Sequence, residues 1–262
     1  MGRTKYAIPN FFTSLNFLMG TFAIVLAPLG TKPLLMPLFG GHERTALEWS
    51  AWLIVYSVLL DKLDGFFAKK LNASSAFGAE FDSLADLVAF GLAPAMLLFH
   101  GVREVFADWS RDHLSIQLVV LAAYVLCAAW RLARYNVAQS DLKGWFVGMP
   151  TTLSGGWIAL VWLILWKHKA ELDPMQAPWL IYLFHFALGA LMISPFYISK
   201  LVSRTSKFFN GFQVVNILVG YACGLAMIWP ELLLTQIVLY TGVGFVWGIL
   251  KRKQIASGLR HA

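Results

Sequence analysis

"DKLDGFFAKKLNASSAFGAEFDSLAD", residues 61–86, carries Asp61, Asp64, Glu80, Asp82 and Asp86, five of the fourteen acidic residues of a 262-residue chain. Both flanks are apolar: 46–60 leads in and 87–100 leads out with hardly a charge. The whole chain is 58% hydrophobic and 13% charged, with a mean hydropathy of +0.65, whereas soluble domains are about a quarter charged. This is the composition of a polytopic membrane protein.

Stretches long and apolar enough to cross a bilayer run over roughly 11–29, 46–68, 80–100, 114–137, 152–167, 178–199, 212–229 and 232–250. The expectation is an all-α integral membrane bundle of about eight helices forming a single transmembrane domain, 1–262. The first stretch follows Arg3 and Lys5 and resembles a signal peptide, but it is longer than an h-region and has no convincing small-residue cleavage site. It reads as a retained helix. With the N-terminus in the cytoplasm, the outer loops hold only Lys32, Arg44, Arg103, Arg111, Lys167 and Lys169, Lys62 sits inside a helix, and the other fourteen of the 21 Lys and Arg fall on the inner side. The positive-inside rule therefore sets both termini in the cytoplasm. The +7 net charge is a basic inner face suited to anionic lipid headgroups, and nucleic acid is excluded as a partner. Cys127 and Cys223 lie singly in apolar stretches, without metal-type spacing, and read as packing residues.

On a helix, Asp61, Asp64, Gly65 and Ala68 share one face, as do Gly78, Asp82 and Asp86. The polar "KKLNASSAF" between them reads as a short cytoplasmic turn joining two antiparallel helices, so that two pairs of carboxylates face each other just inside the membrane. A charged carboxylate at membrane depth costs about 2.5–3.5 kcal/mol or more, and neighbouring carboxylates repel. Salt bridges to Lys62, Lys69 and Lys70 leave too few cations for four aspartates on two facing stripes. Hard divalent ions, Mg²⁺ or Mn²⁺, suit an all-oxygen set. Two ions about 3.5–4 Å apart form a clamp for a phosphoryl group. The small face of Gly65, Ala68 and Gly78 admits a bulky ligand such as a nucleotide close to the backbone. Glu80 falls off the stripe and reads as a solvated residue near a helix start.

The pattern Asp61-x2-Asp64-Gly65-x2-Ala68-Lys69-x8-Gly78-x3-Asp82-x3-Asp86 resembles the signature of the CDP-alcohol phosphatidyltransferases, membrane enzymes of phospholipid synthesis, with lysine at 69 where that family has arginine. Within the family, "IPNFFTSLNFLMG" (8–20), "EFDSLADLVAFGLAP" (80–94), "RLARYN" (131–136), "FVGMPTT" (146–152) and "LMISPFYISK" (191–200) look like the branch that uses serine. The resemblance implies a catalytic core over 1–200, with two further helices and a basic tail over 201–262. It implies transfer of a phosphatidyl group from CDP-diacylglycerol to L-serine, giving phosphatidylserine and CMP, in a homodimer of the cytoplasmic membrane with its active site facing the cytoplasm. Asp61, Asp64, Asp82 and Asp86 would bind metal, and Asp86 would also serve as base. CDP-diacylglycerol would meet Asp61, Gly65, Ala68, Lys69, Gly78, Asp82, Thr13 and Asn16. A serine enzyme also needs a cation for the acceptor's carboxylate, for which Arg131 and Arg134 are the candidates, with Asn136 beside them. Gly148, Pro150 and Thr151 read as shaping a turn into the next helix. The alternatives are another acceptor alcohol (glycerol 3-phosphate, inositol phosphate or a choline-like headgroup) and, from a different class, a divalent-cation carrier, since intramembrane aspartates also mark ion pathways.

Overall fold

The computed structural model describes residues 4–36, 43–71, 75–138, 144–200 and 207–258. The helices are α1 (Thr4–Leu26), α2 (Ala46–Lys70), α3 (Ala76–Asp86), α4 (Ala93–Val105), α5 (Ala107–Asp112), α6 (Leu114–Ala138), α7 (Thr151–Lys167), α8 (Ala177–Ile193), α9 (Lys207–Ala226) and α10 (Pro230–Gly258). Each apolar stretch expected from the sequence falls largely within a helix or, for 80–100, within the continuous run of α3 and α4. Among the described residues four spans are long and apolar enough to cross a membrane: Ile8–Leu29, Ala76–Val105, Leu114–Val137 and Pro230–Arg252. The helices α7, α8 and α9 are shorter and apolar. The chain is thus an all-α membrane bundle.

The reason α2 can hold Asp61, Lys62 and Asp64 is its place in the bundle. It packs against α1, α4, α7 and α9, and Trp49, Trp52, Leu53 and Ile54 on it are fully or almost fully buried. Asp64 is buried and the Asp61 side chain is only 13% exposed, so both carboxylates face protein rather than lipid, the arrangement that membranes tolerate. Lys62 is exposed and pairs with Asp61. The outer helices do the reverse: Leu126 and Trp130 on α6, Leu180 and Leu183 on α8, Leu218 on α9 and Leu239 on α10 are all exposed. An apolar outer surface without that of a soluble protein's charge is what a bilayer requires.

The described residues also form two short antiparallel ribbons. β1 (Pro33–Leu35) pairs with β2 (Glu43–Thr45), and β3 (Trp145–Val147) pairs with β4 (Tyr197–Ser199). The second ribbon joins the approach to α7 to the exit from α8, and α10 packs on it, with Tyr240 Oη donating to the Ser199 carbonyl at 3.0 Å. Gly148, just after β3, has a φ of +74°, and a Cβ there would lie 2.2 Å from the Met192 carbonyl oxygen. Only glycine fits so close a crossing in that conformation.

The join between α3 and α4 is a π-helical stretch, Leu87–Leu92, with the Ala93 N–H bonded five residues back to the Val88 carbonyl. Pro94 explains it: proline has no N–H for the carbonyl of residue 90, and its ring crowds that group. The freed Phe90 carbonyl instead accepts the buried Tyr124 hydroxyl of α6 at 2.8 Å. On the opposite side, α1 approaches so closely that a Cβ on Gly20 would lie 2.6 Å from Ala89 Cα. Replacing Tyr124 by Phe strands the Phe90 carbonyl in an apolar interior. The expected cost is about 1–3 kcal/mol, read as a lowered thermal unfolding midpoint in detergent.

Candidate metal and phosphoryl-transfer site

The aspartates of the opening stretch come from two helices whose ends are tied close together. Ser75 caps α3, its side chain accepting from the Gly78 N–H at 3.0 Å, and α3 then runs back alongside α1. Residues 72–74, in the middle of the expected turn, lie outside the described residues. One carboxylate oxygen each from Asp61, Asp64 and Asp82 gather within 4.8 Å of one another. Asp86, one helical turn beyond Asp82, lies outside that trio and is 6% exposed.

Neighbouring helices supply hydroxyl and amide donors to these carboxylates. Thr13 Oγ1 of α1 reaches Asp64 Oδ2 at 3.3 Å, and Thr152 Oγ1 of α7 reaches Asp61 Oδ2 at 3.3 Å. Asp86 meets Asn16 Nδ2 on one oxygen and Thr151 Oγ1 on the other, each at 3.5 Å. Lys62 Nζ pairs with Asp61 at 3.2 Å. Asp82 Oδ1 is buried and has no hydrogen-bond partner among the described residues. Three convergent carboxylates, with one buried oxygen unpartnered, fit a hard cation and suit no neutral ligand so well. Among the described residues a Cβ on Gly65 would meet nothing within 4 Å, so the wall they form is open there, whereas one on Gly78 would touch Ser75 Oγ and Asn10 Oδ1. Ala68 and Lys69 lie outside the residues whose side chains are described.

The three residues considered for the acceptor's carboxylate are placed differently. Arg131, 8% exposed, donates from Nη1 to Thr151 Oγ1 at 2.9 Å and so stands next to Asp86. Arg134 donates to the backbone carbonyls of Ile193, Met192 and Val147 at 3.0–3.2 Å. Its guanidinium thereby satisfies the open end of α8 and ties it to β3. Asn136 bonds Glu80 and Ser83 across to α3, which also gives Glu80 a partner off the aspartate stripe.

Thr151 and Thr152 are the residues whose contacts the sequence reading did not foresee. Thr151 there shapes a turn; in the structure these first two residues of α7 reach carboxylates on two different helices. Two hydroxyls directly after a proline at a helix start, in a bundle with two buried aspartate stripes, are the signal available in the sequence.

Comparison with known proteins adds a second line. A family model described as CDP-alcohol phosphatidyltransferase matches residues 6–195, which spans every site residue named above. The chain is 31% identical over 190 residues to the CDP-diacylglycerol–serine O-phosphatidyltransferase of Helicobacter pylori, covering 72% of this chain and 70% of that protein. It is 32% identical over 148 residues to the protein of the same name from Methanocaldococcus jannaschii, covering 56% of each. To that from Bacillus subtilis it is 38% identical over 107 residues, covering 40% of this chain and 56% of the other.

Proposed function

Because the chain belongs to the CDP-alcohol phosphatidyltransferase family, we propose that it transfers the phosphatidyl group of CDP-diacylglycerol to L-serine, giving phosphatidylserine and CMP. The observation that carries the reading is the convergence of Asp61, Asp64 and Asp82 within 4.8 Å, one helical turn from a separately held Asp86. The serine-using relatives supply the acceptor.

Asp61, Asp64 and Asp82 would hold one or two divalent ions, Mg²⁺ or Mn²⁺, which when bound neutralise the phosphate oxygens. Asp86 takes the proton of the serine hydroxyl as its oxygen bonds to the phosphatidyl phosphorus and the bond from that phosphorus to CMP breaks. A base in this role needs to lie within about 3 Å of the hydroxyl. Asn16 and Thr151 hold the Asp86 carboxylate for that task. Gly65, where the wall formed by the described residues is open, offers the cytidine diphosphate a close approach to the α2 backbone, and Thr13 lines the same side.

For the serine carboxylate we favour Arg131, supported by its bond to Thr151 beside Asp86. Arg134, with its donors on three backbone carbonyls, is better suited to holding the α8 end. The excess of Lys and Arg in the segments that the sequence places on the inner side supports an active site facing the cytoplasm from a cytoplasmic membrane. Family resemblance supports a homodimer.

Incubating the purified protein with CDP-diacylglycerol and Mn²⁺ together with serine, glycerol 3-phosphate or inositol phosphate tests the assignment. CMP release is expected with serine. Release with another alcohol and none with serine overturns the acceptor, and metal flux through liposomes without any CMP release overturns the enzyme.

A further inference from the structure

Arg131 reaches Asp86 by way of the Thr151 hydroxyl, which stands between them. A guanidinium has donors and no acceptor, so the Thr151 hydroxyl must accept from Nη1 at 2.9 Å. Its single proton is then left for Asp86 Oδ2, 3.5 Å away. The direction of that hydroxyl is therefore fixed by its partners. Burial reinforces this: Thr151 is fully buried, and its branched side chain is stiff about χ1. The other Asp86 oxygen meets Asn16 Nδ2 from α1. The carboxylate is thus held from two sides, by α1 and α7, with contacts at the long end of the hydrogen-bond range. Catalytic hydrogen bonds commonly tighten only once substrate is bound.

We propose that Thr151 is a positioning residue for phosphatidyl transfer, aligning the Asp86 carboxylate with the acceptor hydroxyl, and that Arg131 fixes the direction in which Thr151 donates. This deepens the transferase reading and rests on Asp86 being the base. In the step itself the serine oxygen bonds to phosphorus, CMP leaves, and the hydroxyl proton passes to Asp86. Thr151 neither gains nor loses a proton.

The test compares Thr151→Val, which keeps the shape and removes the hydroxyl, with Thr151→Ser, which keeps the hydroxyl. Rates are taken per molecule of monodisperse, CDP-diacylglycerol-binding protein, so that lost fold is not read as lost alignment. Thr151→Val is expected to lower kcat about 10- to 100-fold, the scale of a misaligned catalytic group. KM for serine and for CDP-diacylglycerol should stay within about twofold, as expected when an interaction made only in the transition state is lost, and Thr151→Ser should restore most of kcat. Arg131→Gln should raise KM for serine in either background, since Arg131 is also the proposed carboxylate ligand. Its effect on kcat at saturating serine should be clear in the wild type and less than about twofold in Thr151→Val, the non-additivity of a shared chain. An unchanged kcat in Thr151→Val, a loss confined to KM, or additive effects of the two changes would each overturn the proposal. Failure of the underlying reading shows elsewhere: the wild-type protein itself would then release no CMP with serine.

Discussion

Asp86→Asn lowers CMP release with serine by a factor of about 10² to 10⁴, the range supplied by a positioned general base, while CDP-diacylglycerol still binds. The substitution is isosteric, and the amide oxygen can still accept from Asn16 or Thr151, so the packing around a residue only 6% exposed is largely kept. What disappears is the group that takes the acceptor's proton. Because Asp86 is also a candidate metal ligand, the measurement is kcat at saturating Mn²⁺ together with the Mn²⁺ concentration that gives half-activation. A base that is lost lowers kcat at every metal concentration. If full kcat returns at high Mn²⁺, Asp86 serves the metal alone and the base must be sought elsewhere.

The second large effect has opposite signs with and without metal. Chelation with EDTA is expected to abolish CMP release, and Mn²⁺ to restore it. Without metal, Asp61, Asp64 and Asp82 hold oxygens within 4.8 Å of one another. Unit charges at that separation repel by about 1 kcal/mol in water and about 3.5 kcal/mol at an effective dielectric of 20. Asp64→Asn removes one of them, so at a pH high enough to ionise all three the metal-free variant should unfold above the metal-free wild type. Adding Mn²⁺ should reverse the order. A ligand bound only by the folded state adds about 2.7 kcal/mol at a hundredfold excess over its Kd, and the variant, short of a carboxylate, should gain much less. A thermal midpoint of wild-type protein that ignores Mn²⁺ would rule out the trio as a metal site.

How much of this could be read from the sequence follows from the kind of signal each feature leaves. The aspartate faces at 61, 64, 82 and 86 were legible because helical spacing turns sequence offsets directly into shared faces. The apolar stretches were legible because the bilayer sets their length. Contacts between helices leave no such periodicity. Nothing in "RLARYN" says that Arg131 meets a threonine twenty residues on while Arg134 spends its donors on the end of α8. Both are arginines near one helix end, separated by less than a turn, and the approach of α7 and β3 decides between them. The reach of Thr152 to Asp61 was hidden for the same reason. The break in α3 and α4 was hidden behind unbroken hydrophobicity, with Pro94 its visible mark.

That break has a consequence for how the helix can change over time. A π turn is in effect one inserted residue, and each residue of an α-helix advances the side-chain direction by about 100°. Deleting any one residue from Leu87–Leu92 would let the run close into regular α-helix, leaving Asp82 and Asp86 in phase with Asp61 and Asp64. The same deletion between Asp82 and Asp86 would swing one of them about 100° off the shared face. The insertion decouples the two halves of a single span. Ala93, Leu97 and Leu98 beyond it can drift to suit their packing, while the aspartates before it keep their own angular setting.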